Sequence, residues 1–229
     1  MKHIGIVACS AEGAALCYRT ICLEGAEFMG RHNHPEVSLH NHSLHLYMEH
    51  IYNNNWKGVG DLMLSSARKL KTAGADFLIC PDNTIHEALD YVLRDSPLPW
   101  LHIAEEVARA AESRHYKKLA LLGTKYLMEG PVYPGKLHAR SLEFQIPNPD
   151  ERLQINQIIF DELVNGQFLP ASQSFLSGVI GRLKSEGCDA AILGCTEIPL
   201  LINESNAPLP VLDSTRLLAR AALIKAVES

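Results

Sequence analysis

Apolar residues come along this chain in short unbroken runs, separated by longer stretches of helical periodicity. The runs lie at 3–8, 77–80, 119–122 and 190–193, with a weaker one over 98–103 and a last pair at 211–212. Runs this short, without polar alternation, predict strands buried on both faces, the habit of parallel sheets. Residues 61–73 place Leu62, Leu64, Ala67, Leu70 and Ala73 at near-helical spacing and stop at Gly74, which predicts an amphipathic helix with a glycine end. Helices are likewise expected over 14–23, 85–93, 104–113, 154–165, 174–186 and 215–227, and an irregular Gly/Pro segment over 130–135. Strand and helix alternate, so the fold class is α/β, with mainly parallel sheets flanked by helices.

The pattern occurs twice. Displaced by 113 residues, Leu70-Lys71-Thr72-Ala73-Gly74-Ala75-Asp76 falls on Leu183-Lys184-Ser185-Glu186-Gly187-Cys188-Asp189. The strand 77–80 then falls on 190–193, and Asp82, Asn83 and Thr84 on Cys195, Thr196 and Glu197. The match resumes two residues out of register, where Ser96-Pro97-Leu98-Pro99-Trp100-Leu101 meets Ala207-Pro208-Leu209-Pro210-Val211-Leu212. An internal duplication of about half the chain predicts two similar α/β domains, residues 1–100 with 208–229 and residues 101–207. Two repeats related by a pseudo-twofold bring equivalent strand ends face to face. Asp82 and Cys195 are therefore expected to flank one cleft from opposite sides, at the strand edge where open α/β sheets bind ligands.

Composition narrows the class. The chain has 229 residues, 47% hydrophobic and 21% charged, enough for substantial cores in a soluble globular protein. A net charge of −5 argues against a nucleic-acid partner. No apolar run approaches the roughly 20 residues of a membrane helix, and the N-terminal MKHIGIVACS reads as a strand rather than a signal peptide. Cysteines at 9, 17, 22, 80, 188 and 195 form no CxxC pair, which suits reduced thiols and a cytoplasmic location. Six of the eleven histidines (His32, His34, His40, His42, His45 and His50) crowd into residues 31–50. HxH pairs suit metals, but no acidic or cysteine ligand recurs with them at fixed spacing. The expectation is a polar loop that covers the cleft and helps to choose the substrate, with no metal.

Three motifs then carry a resemblance. Asn83-Thr84-Ile85-His86 follows a strand, Leu122-Gly123-Thr124 ends the first strand of the second half, and Leu193-Gly194-Cys195-Thr196-Glu197-Ile198-Pro199-Leu200-Leu201 ends the next. Together, in order and over nearly the whole chain, they resemble the aspartate/glutamate racemase superfamily. The resemblance implies two pseudo-symmetric α/β domains and no cofactor. In typical members two cysteines face the substrate α-carbon, one removing its proton and the other returning one. The superfamily also holds decarboxylases and cis–trans isomerases that use fewer cysteines. This chain departs from the pattern where the first cysteine is usual: Asp82 stands there, a pairing that the duplication also requires. Cys80 lies two residues earlier, about 6–7 Å deeper along the strand, and reads as a core thiol. The arginine with which aspartate-selective members hold a side-chain carboxylate has no counterpart near His40.

Removing an α-proton without a cofactor needs a positioned base and stabilisation of the enolate-like charge. Cys195 and Asp82 are the expected catalytic pair, Cys195 as thiolate base and Asp82 as acid, its carboxyl raised by burial and nearby negative charge. Ser10, Asn83, Thr84, Thr124 and Thr196 are expected to hold the substrate carboxylate, with Ser10 equally readable as a plain helix cap. His86 and Glu197 are expected to support the pair as acid or base. The reading is a cofactor-independent amino-acid racemase for a small amino-acid or carboxylate substrate. The alternatives are a single-cysteine decarboxylase or cis–trans isomerase of a small dicarboxylate, and a non-catalytic carboxylate-binding relative. A homodimer is common for such folds, and no surface legible in the sequence specifies one.

Overall fold

The computed structural model describes residues 1–228. The chain forms two compact units, residues 1–103 with 215–228, and residues 104–214. In the first, β1 (Ile4–Ala8) lies between β2 (Val37–Asn41) and β3 (Phe77–Ile79), all parallel. Trp100 extends this sheet by a single parallel bridge to Leu78. In the second, β4 (Lys118–Leu122) pairs with β5 (Glu143–Gln145) on one side and β6 (Ala190–Leu193) on the other, and β7 (Val211–Asp213) lies outside β6. Taking Trp100 as the vestige of a fourth strand, both sheets run in the same order: second, first, third, fourth.

The duplication is written in matched hydrogen bonds. The helices Trp56–Thr72 and Pro170–Ser185 both end at a left-handed glycine, Gly74 at φ +95° and Gly187 at φ +94°. At each, the glycine N–H bonds back to Lys71 or Lys184, and the next N–H bonds to Leu70 or Leu183, all at 3.0 Å. This double closure satisfies the last carbonyls of a helix. Two residues on, an aspartate ties down the start of the neighbouring strand. Asp76 accepts the His3 N–H at 2.7 Å, and Asp189 accepts the Lys117 and Lys118 N–H groups at 2.6 and 3.2 Å. Further along, Leu78 donates to the Pro99 carbonyl at 2.8 Å and Ala191 to the Pro210 carbonyl at 2.9 Å.

Each sheet has its own core. Ile4, Ile6, Phe77 and Ile79 pack with Cys17, Ile21 and Ile103, and with Leu218, Ala222 and Leu223 of the helix Ser214–Val227. Leu122, Ala191 and Leu193 pack with Ile155, Ile159, Leu176, Ile180 and Leu183. The central strands are buried along their whole length, which is why their sequences carry no alternation. Residues 208–214, expected in the first domain, belong to the second unit: β7 completes the second sheet through Ala191↔Val211 and Leu193↔Asp213. Two strands escaped the hydrophobic pattern. β2 and β5 are outer strands with half-buried or exposed residues, so neither needs a continuous apolar run. The helix expected over 154–165 is Pro149–Gln157 followed by a π turn, Ile158–Glu162, and a 3₁₀ turn, Leu163–Asn165. Among the described residues no helix is long and apolar enough to cross a membrane.

Gly187 and Gly178 separate backbone strain from steric crowding, because a Cβ at either would meet nothing within 4 Å. Gly187→Ala should destabilise by about 1–2 kcal/mol, the cost of a left-handed L-residue. Gly178→Ala, inside the helix Pro170–Ser185, should stabilise by about 0.5–1 kcal/mol. Urea unfolding of both variants checks the opposite signs.

Candidate active site

At the C-terminal edge of the first sheet, β3 continues through Cys80 and Pro81 to Asp82. Asp82 Oδ1 accepts the Ile85 N–H at 3.2 Å, so the carboxylate caps the 3₁₀ turn Thr84–Ala88. Its main-chain carbonyl accepts from His86 Nδ1 at 2.7 Å, and His86 Nε2 accepts the Ile103 N–H at 3.3 Å. A carbonyl only accepts and an amide N–H only donates. His86 is therefore neutral, with its proton on Nδ1, and both ring nitrogens are bonded to main chain. It ties the Asp82 turn to the start of the helix Ile103–Ser113 through these two main-chain bonds. Asn83 is buried and Thr84 half-buried on the same turn. Cys80 is fully buried, donates toward the Asp82 carbonyl at 3.8 Å, and is held as a thiol by burial and then by the Asp82 charge. At the neighbouring end of β1, Ser10 Oγ accepts the Gly13 N–H at 3.3 Å and caps the helix Ala11–Met29.

The histidine-rich segment is not a covering loop. Residues 37–41 are β2 and Leu44–Tyr52 is a helix, and the imidazoles of His34, His40, His42 and His50 bond within their own unit. His40 Nδ1 lies 2.9 Å from Ser66 Oγ, and His42 Nε2 lies 3.1 Å from Ser65 Oγ. Partial burial, and then the Lys69 ammonium, lower the pKa of both rings. Among the described residues no group of three or more His, Cys, Asp or Glu side chains could hold a metal ion. Tyr47, on the same segment, was not singled out by the sequence. It is wholly buried, and burial followed by the charges of Cys9, Cys80 and Asp82 pushes its pKa up. The only sequence signal for it was its place in the apolar stripe with Ile51, four residues on.

At the C-terminal edge of the second sheet, Thr124 follows β4 and caps the helix Lys125–Glu129, its Oγ1 accepting the Leu127 N–H at 3.2 Å. Cys195 follows β6 after one glycine. Its Sγ lies 2.9 Å from Glu197 Oε2, and Thr196 Oγ1 donates to the same oxygen at 2.6 Å. Cys195, Thr196 and Glu197 are 8%, 4% and 3% exposed, so one buried carboxylate oxygen takes both a thiol and a hydroxyl proton. Thr196, expected to hold a substrate carboxylate, bonds through its hydroxyl to Glu197. The helix after this turn is a single turn, Ile198–Leu201.

Glycines let the two strand ends approach. Gly194 donates to the Leu122 carbonyl at 2.7 Å. A Cβ on Gly194 would lie 2.9 Å from that carbonyl oxygen and 2.5 Å from Leu127 Cδ2, and a Cβ on Gly123 would lie 3.0 Å from the Gly194 carbonyl oxygen. Leu127 can turn away, but main chain cannot without moving Cys195. Two equivalent strand ends thus present Asp82 in one unit and Cys195 in the other, each beside a hydroxyl-capped helix start.

The family model for Asp/Glu/hydantoin racemases matches residues 6–222. The broad specificity amino-acid racemase RacX of Bacillus subtilis (strain 168) is 25% identical over 162 residues, covering 70% of this chain and 69% of that protein. An aspartate racemase homologue from Pyrococcus horikoshii OT3 has a crystal structure 30% identical, with a TM-score of 0.86 over 100% of both chains. A Yersinia pestis protein assigned to the Asp/Glu racemases is 32% identical, with a TM-score of 0.91 over 100% of both. This chain belongs to the Asp/Glu/hydantoin racemase family.

Gly194→Ala should destabilise by about 1–3 kcal/mol through overpacking against the Leu122 carbonyl. Truncating Leu127 alongside it should recover only part of that loss. Thermal melts of the single and double variants test this.

Proposed function

We propose that this protein is a cofactor-independent amino-acid racemase in which Cys195 and Asp82 act on opposite faces of one α-carbon. The observation that carries the reading is the bonded triplet Cys195–Thr196–Glu197 at a buried strand end, with Asp82 at the equivalent end of the other repeat. Family membership, and the amino-acid racemases among the similar proteins, support the reaction class.

The chemistry follows from the bonding. A thiol is a weak base until it loses its proton, and the Glu197 carboxylate, in contact with Sγ, is the group to take it. Transfer from Sγ to Oε2 leaves a thiolate beside a neutral carboxyl, so the buried site holds one negative charge before and after the step. The thiolate then takes the α-proton, and the substrate's own carboxylate receives the developing charge as an enolate. Thr124 and Ser10 donate toward that carboxylate. A proton from the Asp82 carboxyl closes the other face and leaves the opposite enantiomer. In reverse, Asp82 removes the proton and Cys195 returns one. Asp82 differs from a thiol in reach and basicity, which makes a slow racemase the expectation.

A second reading has one observation in its favour. Asp82 Oδ1 is engaged in capping its own turn, as suits a carboxylate that orients rather than transfers protons. In that case Cys195 works alone, as in a decarboxylase or cis–trans isomerase of a small dicarboxylate.

The readings separate by mutation. Cys195→Ser should lower kcat by about a thousandfold, within the range of general acid–base catalysis, while a substrate-like carboxylate still binds. Asp82→Cys should raise racemisation of an amino acid such as aspartate or glutamate, and Asp82→Asn should suppress it. Glu197→Gln keeps the shape but cannot take the thiol proton, and should lower kcat by about a hundredfold with KM little changed. Chiral chromatography of the products measures each. Turnover of a malonate or unsaturated diacid, with no racemisation even by Asp82→Cys, would establish the second reading.

A further inference from the structure

Two protons point at one oxygen behind β6. Cys195 Sγ lies 2.9 Å from Glu197 Oε2, and Thr196 Oγ1 donates to the same oxygen at 2.6 Å. All three side chains are buried, where hydrogen bonds are stronger than in water. The Thr196 bond has the length of a hydroxyl bonded to an ionised carboxylate, and such a bond weakens once its acceptor takes a proton. The two donors therefore compete. Thr196 favours the state with the proton on sulfur, and opposes the transfer to Oε2 on which the thiolate depends. A site held this way keeps Cys195 a thiol at rest, and a thiol resists oxidation and stray electrophiles better than a thiolate. The same hydroxyl can lift the restraint. It has one proton, and rotation about the Cβ–Oγ1 bond aims that proton elsewhere without moving a heavy atom. A substrate carboxylate at this strand end is a charged acceptor of the same kind as Glu197.

We infer that Thr196 couples substrate binding to the activation of Cys195: its hydroxyl donates to Glu197 in the resting protein and to the substrate carboxylate in the complex. The inference rests on the reading of Cys195 as the thiolate base. The exchange balances. The Thr196 O–H bond is kept and only changes its acceptor. The S–H bond of Cys195 breaks, its electron pair stays on sulfur, and the proton forms an O–H bond at Glu197 Oε2. The three side chains carry a single negative charge before and after, and no group is oxidised or reduced. Toward Cys195, Thr196 is a positioning residue: it acts on the thiol only through the carboxylate that the two share.

Alkylation of Cys195 by iodoacetamide at neutral pH, followed by mass spectrometry of its peptide, reports the thiolate present at rest, because the thiolate is the nucleophile. Thr196→Val keeps the shape and removes the donor, and Thr196→Ala removes it with less bulk. Both should be alkylated about ten- to a hundredfold faster than the wild type, the worth of one hydrogen bond to a charged group. Their KM for the racemised amino acid should rise by about tenfold, the loss of a bond to its carboxylate. Thr196→Ser keeps the hydroxyl and should match the wild type in both. Melting temperatures confirm that each variant is folded. Glu197→Gln cannot take the thiol proton, so in that background Thr196→Val should change the alkylation rate no further. An alkylation rate unmoved in Thr196→Val and Thr196→Ala overturns the inference. So does a rise that persists with Glu197→Gln, which signals opened access rather than proton transfer, and so does an unchanged KM. Cys195→Ser tests the underlying reading by itself. If it racemises like the wild type, that reading fails and the inference with it. If it is inactive while the Thr196 variants are alkylated like the wild type, only the inference fails.

Discussion

Parallel pairing is the constraint on which the rest depends. A parallel strand cannot turn back directly, so each must be followed by a return connection, and all strands of a sheet end at the same edge. In the first unit that edge collects Ser10 after β1 and Asp82 after β3; in the second it collects Thr124 after β4 and Cys195 after β6. No long-range device is needed to gather these groups. The sheet order gathers them, provided that each strand starts in register, and Asp76 and Asp189 fix that start by bonding the first main-chain groups of β1 and β4. The glycine-ended helices deliver those aspartates to their places.

Because the same scaffold is used twice, the differences between the copies stand out. In the second copy the strand end carries a thiol bonded to a buried carboxylate two residues on. In the first it carries a carboxylate that caps its own turn, locked from behind by a neutral histidine. The second end sets a thiol against a carboxylate oxygen that a neighbouring hydroxyl also reaches. The first is held by main-chain and capping bonds, and a polar line of His40, Ser66 and Lys69 ties β2 to the helix Trp56–Thr72.

Much of this was legible in the sequence, and for identifiable reasons. The paired Gly74/Gly187, Asp76/Asp189 and Pro99/Pro210 make the same bonds in both copies, so their spacing alone reported a repeated structure. The buried strands β1, β3, β4 and β6 were visible because burial on both faces demands unbroken apolar runs. β2 and β5 were not, since an outer strand tolerates Ser38, His40 and Glu143. The histidine-rich stretch was misread as a loop for the same reason: polar side chains that bond to serines of a packed helix look solvent-facing in one dimension. The site was legible in residue identity more than in role. Asp82, Cys195 and Glu197 could be placed at strand ends from position, but only geometry shows His86 held between two main-chain groups, Thr196 donating to Glu197, and Tyr47 buried without a partner.

The central claim is that one base comes from each copy and that each serves one enantiomer. Exchange of the α-proton in deuterated water, followed by NMR on each pure enantiomer separately, tests this most directly. The wild-type protein should label both. Cys195→Ala should still exchange the one enantiomer whose proton faces Asp82, and Asp82→Asn should still exchange only the other. Loss of exchange from the same enantiomer in both variants, or exchange of both enantiomers by Asp82→Asn, would contradict the account.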